Sequence, residues 1–168
     1  ATGEYVGMPN GVSDDPELTV ISRIGTHFTK ADASAVVMSY AEVLFLQAEA
    51  AERGWISGDP AALYAEAITA AMEELGIDQE DIDAYLAQPA VAYNGLESIA
   101  FQKWIALFGN GVEAWAEWRR TGVPTLEPGP DAQNDGLIPV RLPYPDSERH
   151  RNGANLQAAI DRQGGASL

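Results

Sequence analysis

His27 and His150 are the only two histidines in this 168-residue sequence, and it contains no cysteine. Nucleophilic hydrolysis needs a base beside an activated hydroxyl or thiol, so these two imidazoles are the natural starting point. No Gly-x-Ser-x-Gly elbow accompanies them. His27 lies in a Thr-His-Phe-Thr stretch that reads as a half-buried strand. His150, between Arg149 and Arg151, reads as a solvated charged turn. An HExxH zinc pair, a P-loop and a dinucleotide Gly-x-Gly-x-x-Gly are all absent from the sequence. Without cysteine there are no disulfides, thiolate metal sites or thiol nucleophiles.

Carboxylates are abundant, 25 Asp and Glu in all, and a facing pair would suit glycoside hydrolysis. With so many acids, chance pairs abound and spacing selects none of them. The Asp78-Gln-Glu-Asp-Ile-Asp83 cluster has the look of calcium ligands, but it lacks the central Gly and distal Glu of an EF-hand loop. It is read instead as a helix start, where acids favour the macrodipole. Asp131, Asn134 and Asp135 ahead of Gly136 are read as a turn. Neither a catalytic residue nor a cofactor or metal site is expected. Among the aromatics, Trp104, Trp115 and Trp118 have helical spacing and apolar neighbours, which predicts core positions. Trp55 and Tyr93, next to helix ends, are the candidate ligand-contact residues, with a stapling role as the plainer alternative.

The formal charge of −15, with 10 Lys and Arg, excludes recognition of a phosphate backbone, so no nucleic-acid partner is expected. Residues 31 to 100 alone carry a net −12, with Arg53 their single base. The 46% hydrophobic content is enough for a real core and too high for an acidic disordered tail. The Val43–Leu46 apolar run is bounded by Glu42 and Gln47, so no transmembrane segment is expected. The start at Ala1 fits either a removed signal peptide or an excised piece.

The elements that must position these residues are mainly helical. Turn formers crowd residues 1 to 34, with at most a brief extended piece at Thr19-Val20-Ile21. Ser39 and Glu42 form a capping box and Gly54 a stop. Between them Tyr40, Val43, Leu44, Leu46, Gln47 and alanines 48, 50 and 51 give an apolar helical face. Asp59-Pro60 starts a second helix, with Tyr64, Ala67, Ile68, Ala71, Met72 and Leu75 on one side and Gly76 after them. Asp78 caps a third, Asn94 opens a fourth that Gly109 and Gly111 break, and a fifth carries Val112, Trp115 and Trp118. From Gly122 onward prolines forbid a long helix. Leu137–Leu142 is expected to be extended, Asn155–Arg162 helical, and the end frayed. The first two helices resemble a tetratricopeptide pair, and one such pair must stack on other helices to cover its apolar face.

Three ordered stretches resemble the C-terminal part of the SusD/RagB family of surface glycan-binding lipoproteins. They are Met38-Ser-Tyr-Ala-Glu-Val-Leu-Phe-Leu-Gln-Ala-Glu-Ala-Ala-Glu-Arg-Gly54; Gln102-Lys-Trp-Ile-Ala-Leu-Phe leading to Trp118-Arg-Arg-Thr-Gly122; and Arg141-Leu-Pro-Tyr-Pro145 followed by Glu148, Asn152 and Asn155. The Gly7-Met-Pro-Asn-Gly11 stretch also fits. The resemblance implies a mainly α fold with a tetratricopeptide-type scaffold, of which this chain is a C-terminal fragment: a lead-in over 1–34, a helical core over 35–122 and a Pro-rich irregular tail over 123–168. It implies a non-catalytic role in capturing oligosaccharides, or peptides in one branch, at the outer-membrane surface. The implied partner is a TonB-dependent, SusC-like transporter, and the lipid anchor would lie on the missing N-terminal part. By the same resemblance Ser39 and Glu42 cap, Ala48 and Gly54 permit packing, and Arg119 and Arg120 hold the Pro-rich tail through Glu148 or backbone carbonyls. The alternative is a helical protein–protein scaffold that contacts no ligand.

Overall fold

The computed structural model describes residues 5–12, 21–133 and 135–164, and it forms two compact units. One comprises residues 24–126; the other joins residues 1–23 to residues 127–168. Every regular element among the described residues is helical.

The unit of residues 24–126 carries α1 (Thr26–Thr29), α2 (Tyr40–Glu52), α3 (Pro60–Glu74), α4 (Gln79–Leu86), a 3₁₀ turn (Pro89–Val91), α5 (Leu96–Ala106) and α6 (Gly111–Thr121). Local chemistry sets most of the ends. Ser39 Oγ accepts from the Glu42 N–H at 3.0 Å, and Asp59 Oδ1 accepts from the Ala61 N–H at 2.9 Å with Pro60 at the first helical position. Gly54 and Gly76 take the left-handed conformation that ends α2 and α3 (φ +70° and +75°). Asp78 sits at the N-cap of α4 without a side-chain cap bond, so the expected cap is positional only, and Glu80 and Asp81 supply first-turn acids. Asn94 acts one residue before the N-cap of α5: its Oδ1 accepts from the Ser98 N–H while Ser98 Oγ accepts from the Asn94 N–H, both at 3.0 Å. Gly111 opens α6 and does not break a helix there.

α2 packs along α3 and against α5, and α5 meets α6. The core is Leu44, Phe45, Ala48, Tyr64, Ala67, Ile68, Val91 and Ile99. Ala48 and Ala67 are fully buried, which allows the close approach of the pair, and Tyr64 fills the space beside them. The Tyr64 hydroxyl donates to the Val91 carbonyl at 2.6 Å, so burial of this phenol leaves no unmade hydrogen bond, and its pKa is pushed up to about 12 by that burial.

Several expectations change. Tyr40 and Leu46 lie on the outside of α2, with Phe45 inside. Trp104, Trp115 and Trp118 are only half-buried; the buried position of α6 is Glu117, because Lys103 of α5 reaches it. His27 lies in the single helical turn α1, where its ring packs edge-on to Phe28 at 4.8 Å. The outer side of α5 remains apolar: Phe101 and Ile105 are exposed, as is Phe108 just beyond, against which Phe28 packs at 5.2 Å.

The unit formed by the two chain ends carries α7 (Asp146–Arg151) and α8 (Gly153–Arg162), which pack together. α8 matches expectation. α7 does not: its Pro145 occupies the N-cap, where the missing N–H costs nothing. His150 is therefore helical, its Nδ1 bonded to the Asp146 carbonyl at 2.7 Å. Leu137–Leu142 forms no strand. Gly11 and Gly129 cross so closely that a Cβ on Gly129 would stand 2.6 Å from Gly11 Cα, and the Asp131 N–H donates to the Gly11 carbonyl at 3.2 Å. Only glycine fits both sides of this crossing. Asp135 and Gly136 adopt positive φ, consistent with the expected turn. Asn134, the Thr19–Val20 portion of the extended piece and the frayed end beyond Gly164 lie outside the described residues.

Candidate functional site

The two candidate residues hang from the same end of α2. Past Glu52 the chain turns at Gly54, and the Trp55 N–H closes back on the Ala50 carbonyl at 2.9 Å. The backbone of Trp55 is thereby fixed while its indole is 73% exposed. The Arg53 guanidinium lies 5.3 Å from the centre of that ring, and Arg53 Nε donates to Glu49 Oε1 at 2.9 Å. A cation held by a carboxylate thus steadies the indole, which still presents most of its surface to solvent. Such a flat, preordered aromatic beside polar groups is suited to stacking on the apolar face of a sugar ring.

Tyr93 is placed otherwise. Its ring packs on Tyr64 at 5.4 Å, and its hydroxyl donates to Glu52 Oε2 at 2.5 Å. Burial first, and then that bond to a carboxylate, push its pKa up to about 12. Both ends of the side chain are engaged, so Tyr93 staples the segment before α5 to the end of α2.

Beneath Trp55 runs a chain of charges that spacing alone did not single out. Glu49 accepts a bidentate pair from Arg120, both bonds at 2.6 Å. Arg120 also donates to Glu117 at 2.7 Å, and Glu117 accepts from Lys103 Nζ at 3.0 Å. Lys103 and Glu117 are each 3% exposed. The Arg120 hydrogen bonds hold Glu49 below the usual carboxylate range against the opposing effect of its burial, and the same bonds raise the already high pKa of Arg120. Arg120 is therefore anchored to α2 and to its own helix; in the other unit, Glu148 accepts from Asn152 Nδ2 at 2.8 Å. Arg119 stacks over Trp115 at 4.6 Å. Glu42 is buried facing Lys103 without an ion-pair contact; burial raises its pKa, Lys103 opposes that, and Glu113 and Glu117 add to it. Its side chain belongs to this interior, so the capping box is one-sided.

The sequence signal for this network was a lone charge inside an apolar face: Glu49 among alanines, Lys103 beside Trp104, and Glu117 between Trp115 and Trp118. Among the described residues, no cluster of three or more His, Asp or Glu side chains is arranged to hold a metal, and no helix is long and apolar enough to cross a membrane.

A scaffold whose described regular elements are all helical, with a tetratricopeptide-type pair and an exposed aromatic at the turn after its first helix, defines the class. Residues 1–145 match the SusD-like family described as "Starch-binding associating with outer membrane". The chain belongs to this family. Its structure is similar to that of a chitin-binding protein at 39% identity and a TM-score of 0.65, covering 77% of this chain and 31% of that one. A SusD-like protein from Bacteroidetes, AC2a, matches at 36% identity and TM-score 0.69, covering 79% and 28%. A chitin-binding SusD homologue from Flavobacterium johnsoniae matches at 29% identity and TM-score 0.61, covering 78% and 34%. The chain spans about a third of the length of these structures. No curated protein matches.

Proposed function

We propose that this chain is the C-terminal portion of a single SusD-like domain, in a non-catalytic protein that captures oligosaccharides at the outer-membrane surface for a TonB-dependent, SusC-like transporter. In this reading a lipid anchor on a preceding segment holds the protein to the membrane, and Trp55 is the ligand-contact residue contributed by this portion. The observation that carries it is the family match over residues 1–145, together with the likeness to a chitin-binding protein at 39% identity. The bare apolar side of α5 supports the assignment to a larger domain, because further polypeptide would cover Phe101, Ile105 and Phe108. Calorimetry and tryptophan fluorescence with chito-oligosaccharides test it. Saturable binding that Trp55→Ala abolishes supports the reading. Hydrolysis of the glycan, or binding indifferent to Trp55, defeats it. The second reading, a scaffold that touches no ligand, is favoured by the stapled Tyr93, and it expects no heat and no quenching with any glycan.

A further inference from the structure

Arg53 lies 5.3 Å from the centre of the Trp55 indole and donates from Nε to Glu49 Oε1 at 2.9 Å. A long side chain at the end of a helix loses rotamer freedom when it is held so, and something must hold it. Here it is fixed from behind. Glu49, whose side chain is 10% exposed, also takes two bonds from Arg120, each at 2.6 Å. Its carboxylate stands between two guanidiniums and offsets their mutual repulsion. Arg120 is held in turn by Glu117 at 2.7 Å, and Glu117 by the buried Lys103 at 3.0 Å. The order runs from the interior outward: α6 fixes Glu49, Glu49 fixes Arg53, and Arg53 meets Trp55. The indole has little else against it. Among the described residues, no other cation and no ring stacks on it. The bond from its backbone N–H to the Ala50 carbonyl sets where the side chain starts and not its rotamer. An indole that stays 73% exposed while Arg53 approaches one face has its opposite face open.

We propose that Arg53 is a positioning residue for Trp55: locked to α6 through Glu49, it occupies one face of the indole and leaves the opposite face for a sugar ring. Its consequence for glycans rests on the function proposed above; the placement of the indole rests on the geometry alone. The gain is preorganisation. An aromatic side chain that is free beforehand has to be immobilised when a ligand stacks on it, and a side chain already held avoids that cost. Arginine suits the task because its planar fork bonds a carboxylate along one edge while the rest of it lies over a ring. Lysine, a single charged centre, does one or the other.

Arg53→Met and Arg53→Lys in the full chain test it. Both should keep the fold by circular dichroism, because Glu49 retains its two bonds from Arg120 and no carboxylate is stranded. The first readout needs no ligand: NMR relaxation of the Trp55 indole N–H, assigned by its loss in Trp55→Phe. That group should be as ordered as the backbone in the wild type and mobile on the nanosecond scale in both variants. The second is calorimetry with chitotetraose, whose binding Arg53→Met should weaken about fivefold. The third is the face of contact: sugar protons should show NOEs to the indole and none to the Arg53 side chain. Four outcomes overturn the proposal: an indole equally ordered in wild type and Arg53→Met, order fully kept in Arg53→Lys, affinity unchanged by Arg53→Met, or NOEs from the sugar to Arg53. The two claims fail separately. An indole that loosens in the variants of a protein that binds no chitotetraose removes the proposed function and leaves Arg53 as the group that places Trp55. Trp55-dependent binding with an indole indifferent to Arg53 removes the positioning role and leaves the proposed function standing.

Discussion

Replacing Glu117 by Gln should destabilise the unit of residues 24–126 more than replacing its partner Lys103 by Met. Glu117 and Lys103 are both 3% exposed and 3.0 Å apart. Breaking a buried ion pair from one side costs about 3–5 kcal/mol, because the remaining charge stays desolvated. The two sides are not equivalent here. Without the Glu117 charge, the Lys103 ammonium has no carboxylate within ion-pair distance among the described residues, and the cost is about 4 kcal/mol. Without Lys103, Glu117 keeps the Arg120 guanidinium at 2.7 Å, and methionine retains most of the apolar stem, so the cost falls to about 2 kcal/mol. At about 4 °C per kcal/mol for a unit of this size, the melting temperature drops by about 16 °C and 8 °C respectively. Removing both charges with Lys103→Met and Glu117→Leu should cost less than Glu117→Gln alone, since neither partner of the pair is then stranded, while Glu42 loses both the facing ammonium and the repulsion from Glu117. Urea titrations followed by circular dichroism and tryptophan fluorescence give the three values. Equal single costs, a reversed order, or a Glu117→Gln cost below about 1 kcal/mol would refute the reasoning.

Glu42 has a raised folded-state pKa through burial, so its contribution is present below the ordinary value of 4.5 and is lost as pH rises through the folded value. Glu42→Gln should therefore raise the melting temperature at pH 7, with the gain vanishing on acidification to pH 4. Glu49 behaves oppositely: its pKa is lowered, so Glu49→Gln should destabilise at neutral pH and progressively less as acid protonates the wild-type carboxylate. Tyr93→Phe should cost about 1 kcal/mol by thermal melt and leave glycan binding intact, whereas Trp55→Ala should do the reverse, with stability unchanged to within about 0.5 kcal/mol. Phe101→Ser with Ile105→Ser should reduce binding of a hydrophobic dye without lowering the melting temperature, because both side chains are exposed.

Where the determinants were local, the sequence was readable. Ser39, Asp59-Pro60, Gly54 and Gly76 mark helix ends by chemistry contained within four residues, and α2 and α3 run between them as expected. Ala48, Tyr64, Ala67 and Ile68 fell inside because small and aromatic residues at helical spacing admit one close-packed pair. What failed was set by distant partners or by context. The inward side of α6 is chosen by Lys103, fourteen residues before Glu117, so the spacing of Trp115 and Trp118 pointed to the wrong face. The helix α7 was hidden by Pro143 and Pro145, which forbid a helix interior but not a helix start. Of the two site candidates, both flank helix ends as read. Only the three-dimensional structure separates them, because the fate of Tyr93 depends on Glu52, 41 residues earlier.

The crossing of Gly11 with Gly129 bears on how the protein comes off the ribosome. One of its two sides is synthesised more than a hundred residues before the other. The unit of residues 24–126 has all of its chain once residue 126 emerges and is free to fold at that moment. The Gly11 side of the crossing has to wait until Gly129 arrives. That order leaves the segment around Gly11 open to proteases and chaperones for the time it takes to synthesise the residues in between, and makes the Gly–Gly crossing a closure that follows completion of the unit of residues 24–126.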